Sequence, residues 1–95
     1  MARGPREKPE RLAEKLRAIR EAFDLSQNGL IRRMGAEGLM GQNTVSEYEL
    51  GKREPSLLIM LKYAELAGVC LDVLANDDIA LPAKLPANPK HDRKA

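Results

Sequence analysis

A single cysteine, Cys70, cannot close an intrachain disulfide, so the fold of this 95-residue chain needs no oxidising compartment. Tryptophan is absent, and one phenylalanine and two tyrosines are all the aromatic side chains there are. The core must then be aliphatic, and a chain of this size buries only ~60–65% of its extended surface, which points to marginal stability or to a partner. The longest apolar run, residues 57–61, is far shorter than the ~20 residues that span a bilayer, and the N-terminus has no apolar stretch of the signal-peptide kind. A soluble, cytoplasmic protein with no membrane partner is expected. Cys70 and the lone histidine, His91, have no recognisable catalytic company, and neither a metal-ligand spacing nor a phosphate loop is present. No enzyme activity, no metal and no cofactor are expected.

The formal net charge of +2 is a sum that conceals a distribution. Residues 1–20 carry seven basic and three acidic side chains, residues 21–89 six and ten, and residues 90–95 three and one. A mildly acidic middle therefore lies between basic ends. Residues 1–9, with two prolines and four charged side chains, offer too little apolar surface to offset ordering entropy and read as a basic, flexible arm. Residues 10–76 read as one domain, and residues 77–95 as an extended, proline-containing tail with a disordered end.

Within the domain the apolar positions Leu12, Leu16, Ile19 and Phe23 form one stripe of an amphipathic helix, with Arg11, Glu14, Lys15 and Glu21 on the wet side. Asp24 breaks this pattern. Ser26 is a good N-cap for a second helix through Leu30, Ile31 and Met34, stopped at Gly35, although Asn28-Gly29 reads locally as a turn. Gly35, Gly38 and Gly41 predict a bent connection rather than a packed element. A third helix spans Gln42 to Leu50, a fourth opens at Pro55-Ser56 and closes at Gly68, and a short fifth covers about Leu71 to Ala75. With no strand signal, the fold class is all-α.

The third helix has Val45 and Tyr48 on one face and Gln42, Asn43, Thr44, Ser46 and Glu47 on the other. Two short helices joined by a glycine-bearing turn, the second rich in short amide and hydroxyl side chains, have the organisation of a helix-turn-helix. A major groove ~12 Å wide admits one such helix, and an amide side chain can offer adenine N6 and N7 an acceptor and a donor together. A solvated polar helix face gives the same pattern.

Leu25-Ser26-Gln27, Gly35, the run Thr44-Val45-Ser46-Glu47-Tyr48-Glu49-Leu50-Gly51-Lys52-Arg53-Glu54-Pro55-Ser56, Ala67-Gly68-Val69 and Leu71-Asp72-Val73-Leu74 together resemble the Cro/C1-type helix-turn-helix family, also called the XRE family, over residues 12–75. The resemblance implies a compact five-helix, lambda-repressor-like domain whose recognition helix spans about 42–50. It also implies a sequence-specific transcriptional regulator of double-stranded DNA, a repressor in form, associated with the nucleoid when bound. Carried over by position, it implies base contacts from Gln42, Asn43, Thr44, Ser46 and Glu47. Phosphate contacts are implied for Gln27, Lys52 and Arg53, and a structural ion pair for Arg20 and Glu49.

Three features depart from the family's pattern. The connection after Gly35 is longer than usual, Ala36–Leu39 reading as an insertion, and Ile31 stands where a small alanine is usual. Glu47 replaces a residue that is often basic or neutral. It would repel a phosphate but could accept from cytosine N4, which makes it a candidate specificity determinant.

An acidic body is awkward for a DNA binder, because nonspecific affinity comes from phosphate neutralisation. The arm answers this in part: Arg3, Arg6 and Lys8 could reach the backbone or a minor groove, with a solvated charged terminus as the alternative. Helix 4 is more apolar than one-sided packing needs. If Leu57, Met60, Leu61 and Ala64 face inward, then Leu58, Ile59 and Leu66 need cover, either from a second protomer or from the tail's Ile79, Leu81 and Leu85. A homodimer suits two half-sites one helical turn apart. A different use of the same face, with autoregulatory DNA binding, is an antitoxin or protein-interaction module with a protein partner. Cys70, at the expected N-cap of helix 5, reads either as a redox-sensitive thiol or as a small buried residue.

Overall fold

Leu12, Leu16 and Ile19 recur at spacings of four and three, and the helix they build, α1 (Leu12–Ala22), buries all three. The structure, a computed structural model that describes residues 9–86, continues with α2 (Gln27–Arg33), α3 (Gln42–Glu49), α4 (Leu57–Ala67) and α5 (Leu71–Ala75). No strand occurs among the described residues. The arm residues Arg3, Arg6 and Lys8, the tail beyond residue 86 and His91 lie outside the described part. No helix within it is long and apolar enough to cross a membrane.

Helix ends follow the local chemistry. Asp24 takes a left-handed φ of 57° after α1, and the Ser26 hydroxyl accepts the Gly29 amide at 2.9 Å to start α2. Gly29 is the helical glycine whose neighbours explain it: a Cβ there would meet the Ser26 Oγ at 3.0 Å. Ser56 caps α4 in the same way, accepting from the Ile59 amide at 3.2 Å, and Gly68 ends that helix with a left-handed φ of 72°. Pro55 is buried one position ahead of this cap rather than inside the first turn.

The connection between α2 and α3 is more ordered than its glycines suggest. Ala36 is fully buried, and its carbonyl accepts the amides of Leu39 at 2.9 Å and Met40 at 3.2 Å. The extra residues therefore close into one hydrogen-bonded turn pinned at Ala36, with Leu39 at its exposed tip. Ile31 takes its place in the core at 4% exposure.

Three expectations are corrected by the packing. Lys15, placed on the wet side by its charge, is 4% exposed. Its ammonium donates to the carbonyls of Val73 at 2.6 Å, Asn76 at 3.0 Å and Ile79 at 2.7 Å, so each of its three N–H groups has an acceptor. Helix 4 is rotated from the expected phase. Ile59, Met60, Tyr63, Ala64 and Ala67 face the core, whereas Leu57 and Leu61, expected inside, stand outside with Leu58. The unbroken apolar run Leu57–Leu61 at its start carries no periodic signal to choose between these phases. Cys70 is exposed rather than buried.

The tail packs on its own domain: Leu81 and Leu85 lie against the core, as does Leu66. Asp77 then closes the α1 end, its carboxylate accepting the backbone amides of Glu10 at 2.9 Å and Arg11 at 3.0 Å. Helix 1 has no side-chain cap of its own, and Asp77 satisfies donors that a helix start leaves free. These two amides hold the Asp77 carboxyl below the ordinary carboxylate range.

Tyr63 is fully buried, and its hydroxyl has no hydrogen-bond partner among the described residues. Burial pushes its phenol well above the ordinary tyrosine range. A buried hydroxyl without a partner carries its desolvation cost uncompensated. Tyr63→Phe is therefore expected to stabilise the domain by about 1 kcal/mol; a lower thermal midpoint for the variant would show that the hydroxyl is bonded in solution.

Candidate nucleic-acid interface

The α2–α3 pair is held from beneath by apolar contacts and from one end by charge. Val45 and Tyr48 put one side of α3 into the core with Leu30 and Ile31 of α2. Burial raises the Tyr48 phenol pKa, with Arg53 opposing in part. At the end of α3, Glu49 receives Arg20 of α1 in a two-pronged pair, Nε to Oε2 at 2.7 Å and Nη2 to Oε1 at 3.0 Å. The side chains are 16% and 6% exposed. Arg20 also donates to the Leu25 carbonyl at 2.9 Å, so one guanidinium ties α1, the turn before α2 and the end of α3 together. The Glu49 hydrogen bond raises the Arg20 pKa still further.

From this pair a chain of polar contacts runs outward. Gln27, the first residue of α2, donates to Glu49 Oε1 at 3.3 Å and accepts from the Gln42 side chain at 3.4 Å. Gln42, the first residue of α3, is thereby linked to a buried ion pair while remaining exposed. Asn43 is exposed as well, and Thr44, Ser46 and Glu47 are half-buried.

The turn after α3 folds back on the helix. Gly51 adopts a φ of 76°, which suits glycine, and the Lys52 and Arg53 amides both point to the Glu47 carbonyl, at 2.9 Å and 3.3 Å. This brings the Arg53 Nε to 3.1 Å from Glu47 Oε1, a pairing that residue types alone did not signal. Lys52 is exposed beside it. Pro9 and Glu10 line a groove with Tyr48, Gly51 and Arg53, so the described part of the chain begins next to the end of α3.

Of the six residues expected to form a dimer or tail-covered apolar face, only Leu58 is largely exposed, at 55%. Ile59 belongs to the core, Ile79 is half-buried, and Leu66, Leu81 and Leu85 pack against the core within the same chain. The open apolar surface of α4 is Leu57, Leu58 and Leu61. Arg33 lies over the Phe23 ring at 5.7 Å from its centroid.

A family model described as helix-turn-helix matches residues 16–74, more than half of the chain, and covers α2, α3 and the turn between them. No curated protein and no solved structure matches the chain at significance.

Proposed function

Since the chain belongs to the Cro/C1-type helix-turn-helix (XRE) family and is a DNA-binding transcription regulator, we propose that it acts as a dimeric repressor that reads an inverted repeat through the major groove. The observation that carries this reading is the outer side of α3. Gln42 and Asn43 stand exposed at its start, on a helix whose opposite side is fixed by buried Val45 and Tyr48. Asn43, Ser46 and Glu47 lie on one face at helical spacing, with Gln42 and Thr44 at its borders, and these five supply the base contacts. Gln27, Lys52 and Arg53 supply phosphate contacts around them, positioning the helix without reading sequence. Arg3 and Arg6 extend the phosphate contacts from the arm, a role favoured by its attachment beside Gly51 and Arg53.

Dimerisation follows from a shortage of charge. The acidic body leaves each protomer few phosphate contacts, and coupling two protomers multiplies weak half-site affinities. Leu57, Leu58 and Leu61 are the surface offered for it, replacing the larger set expected from sequence. Repression is by occlusion of the promoter. The same three leucines also favour a second reading, in which this face binds a different protein, as in antitoxins, and DNA binding is autoregulatory.

Selection of bound fragments from random duplex DNA tests the proposal. The expected product is an inverted repeat with half-sites about one helical turn apart, near 34 Å. Fragments no better bound than the starting pool would reject sequence-specific reading. A single half-site, with a monomer mass at micromolar protein, would reject the dimer.

A further inference from the structure

Glu47 is the one acidic side chain on the outer face of α3, a helix with no basic residue of its own. An uncompensated carboxylate there would repel the phosphates on either side of a groove. The structure compensates it from the turn: Arg53 Nε lies 3.1 Å from the carboxylate, and the Arg53 and Lys52 amides are both held on the Glu47 carbonyl. Backbone and side chain of one residue thus fix Arg53 in place. Both partners keep solvent access, with side chains 58% and 43% exposed for Arg53 and Glu47, so the pair is near enough to water to exchange. Arg53 is also one of the few cations next to α3 that could meet a phosphate, and a guanidinium engaged by a carboxylate competes poorly for one.

We propose that Glu47 and Arg53 form a discriminating latch. On noncognate DNA, Arg53 stays on Glu47, its phosphate contact is lost, and nonspecific binding is weakened. At a cognate site an exocyclic amine, cytosine N4 in the major groove, donates to the Glu47 carboxylate and replaces Arg53 as its hydrogen-bond donor. Arg53 is then released to the neighbouring phosphate. Base reading and phosphate binding are coupled, so one carboxylate penalises all wrong sequences rather than only rewarding the right one. The inference rests on the proposed docking of α3 in the major groove.

The test compares the parent with Glu47→Gln, Arg53→Gln and the double variant, on the selected duplex and a scrambled one, by fluorescence anisotropy across a salt series. Glu47→Gln is expected to strengthen scrambled-duplex binding about three- to five-fold. It should also steepen the slope of log K against log salt by ~0.9, the value of one added phosphate contact. On the selected duplex it brings no gain. In the Arg53→Gln background both scrambled-duplex changes should vanish. If the gain survives there in full, Glu47 acts by plain repulsion and the latch is wrong; if Glu47→Gln leaves scrambled binding unaltered, there is no latch to open. A parent that binds neither duplex would reject the docking of α3 and the latch with it, a result distinct from either of those.

Discussion

Replacing Glu49 by alanine is expected to cost about 3–5 kcal/mol of stability, because it strands the Arg20 guanidinium in a largely buried position. Arg20 would keep the Leu25 carbonyl but lose both bonds to the carboxylate, at 2.7 Å and 3.0 Å. Domains have ~5–15 kcal/mol in total, so the variant sits near its unfolding limit at room temperature. Chemical denaturation followed by circular dichroism measures the loss. Removing both partners should be milder than the two single losses added together, since the double variant leaves no buried charge behind. A Glu49→Ala protein as stable as the parent would overturn the structural role of this pair. The loss also reaches the interface, since Gln27 and through it Gln42 take their orientation from the Glu49 carboxylate.

Lys15→Met is the second large effect. Methionine matches the length of the lysine stem but leaves the carbonyls of Val73, Asn76 and Ile79 without their shared donor. Hydrogen bonds to a charged group contribute ~1.5–3 kcal/mol, and the three here are not additive because one ammonium makes them all. A loss of about 2–3 kcal/mol is expected, or roughly 10 °C or more in thermal midpoint for a domain of this size. The damage is local in origin, so limited proteolysis should open the chain at residues 76–86 before the α2–α3 pair is touched. An unchanged midpoint together with an unchanged cleavage pattern would mean that the ammonium contributes nothing net.

The pattern of what could and could not be read from the residues follows the range of each interaction. Helix starts at Ser26 and Ser56 and the stop at Gly68 are decided within three or four residues, and all three are visible as local chemistry. The stripe of α1 and the polar outer side of α3 come from periodicity, which reaches one helix length. Lys15 breaks that scale: its acceptors lie 58 to 64 residues away, and no nearby residue announces that a charge will be enclosed. Helix 4 fails for a different reason, since the unbroken apolar run of residues 57–61 leaves its phase to be set by the packing of the helix against α1 and α5. Within the interface the residue types were legible, whereas the pairing of Glu47 with Arg53 depends on a left-handed turn at Gly51 that reverses the chain.

The bond from the Glu10 amide to Asp77 has a consequence for how this unit can be connected to anything else. Its two partners are 67 positions apart in sequence yet 2.9 Å apart in space. The helical body between residues 10 and 77 is therefore entered and left at one point, like a bead hung from a single loop of thread, with Leu81 and Leu85 packed back on it. Such a unit can be spliced into an exposed loop of a host protein, or have its ends joined and new ones cut elsewhere, without stretching either α1 or the tail. Residues 10 and 77 thus lie side by side, and residues 78–86 continue from there along α1, where Ala80 and Leu81 meet Arg11, Glu14 and Ala18.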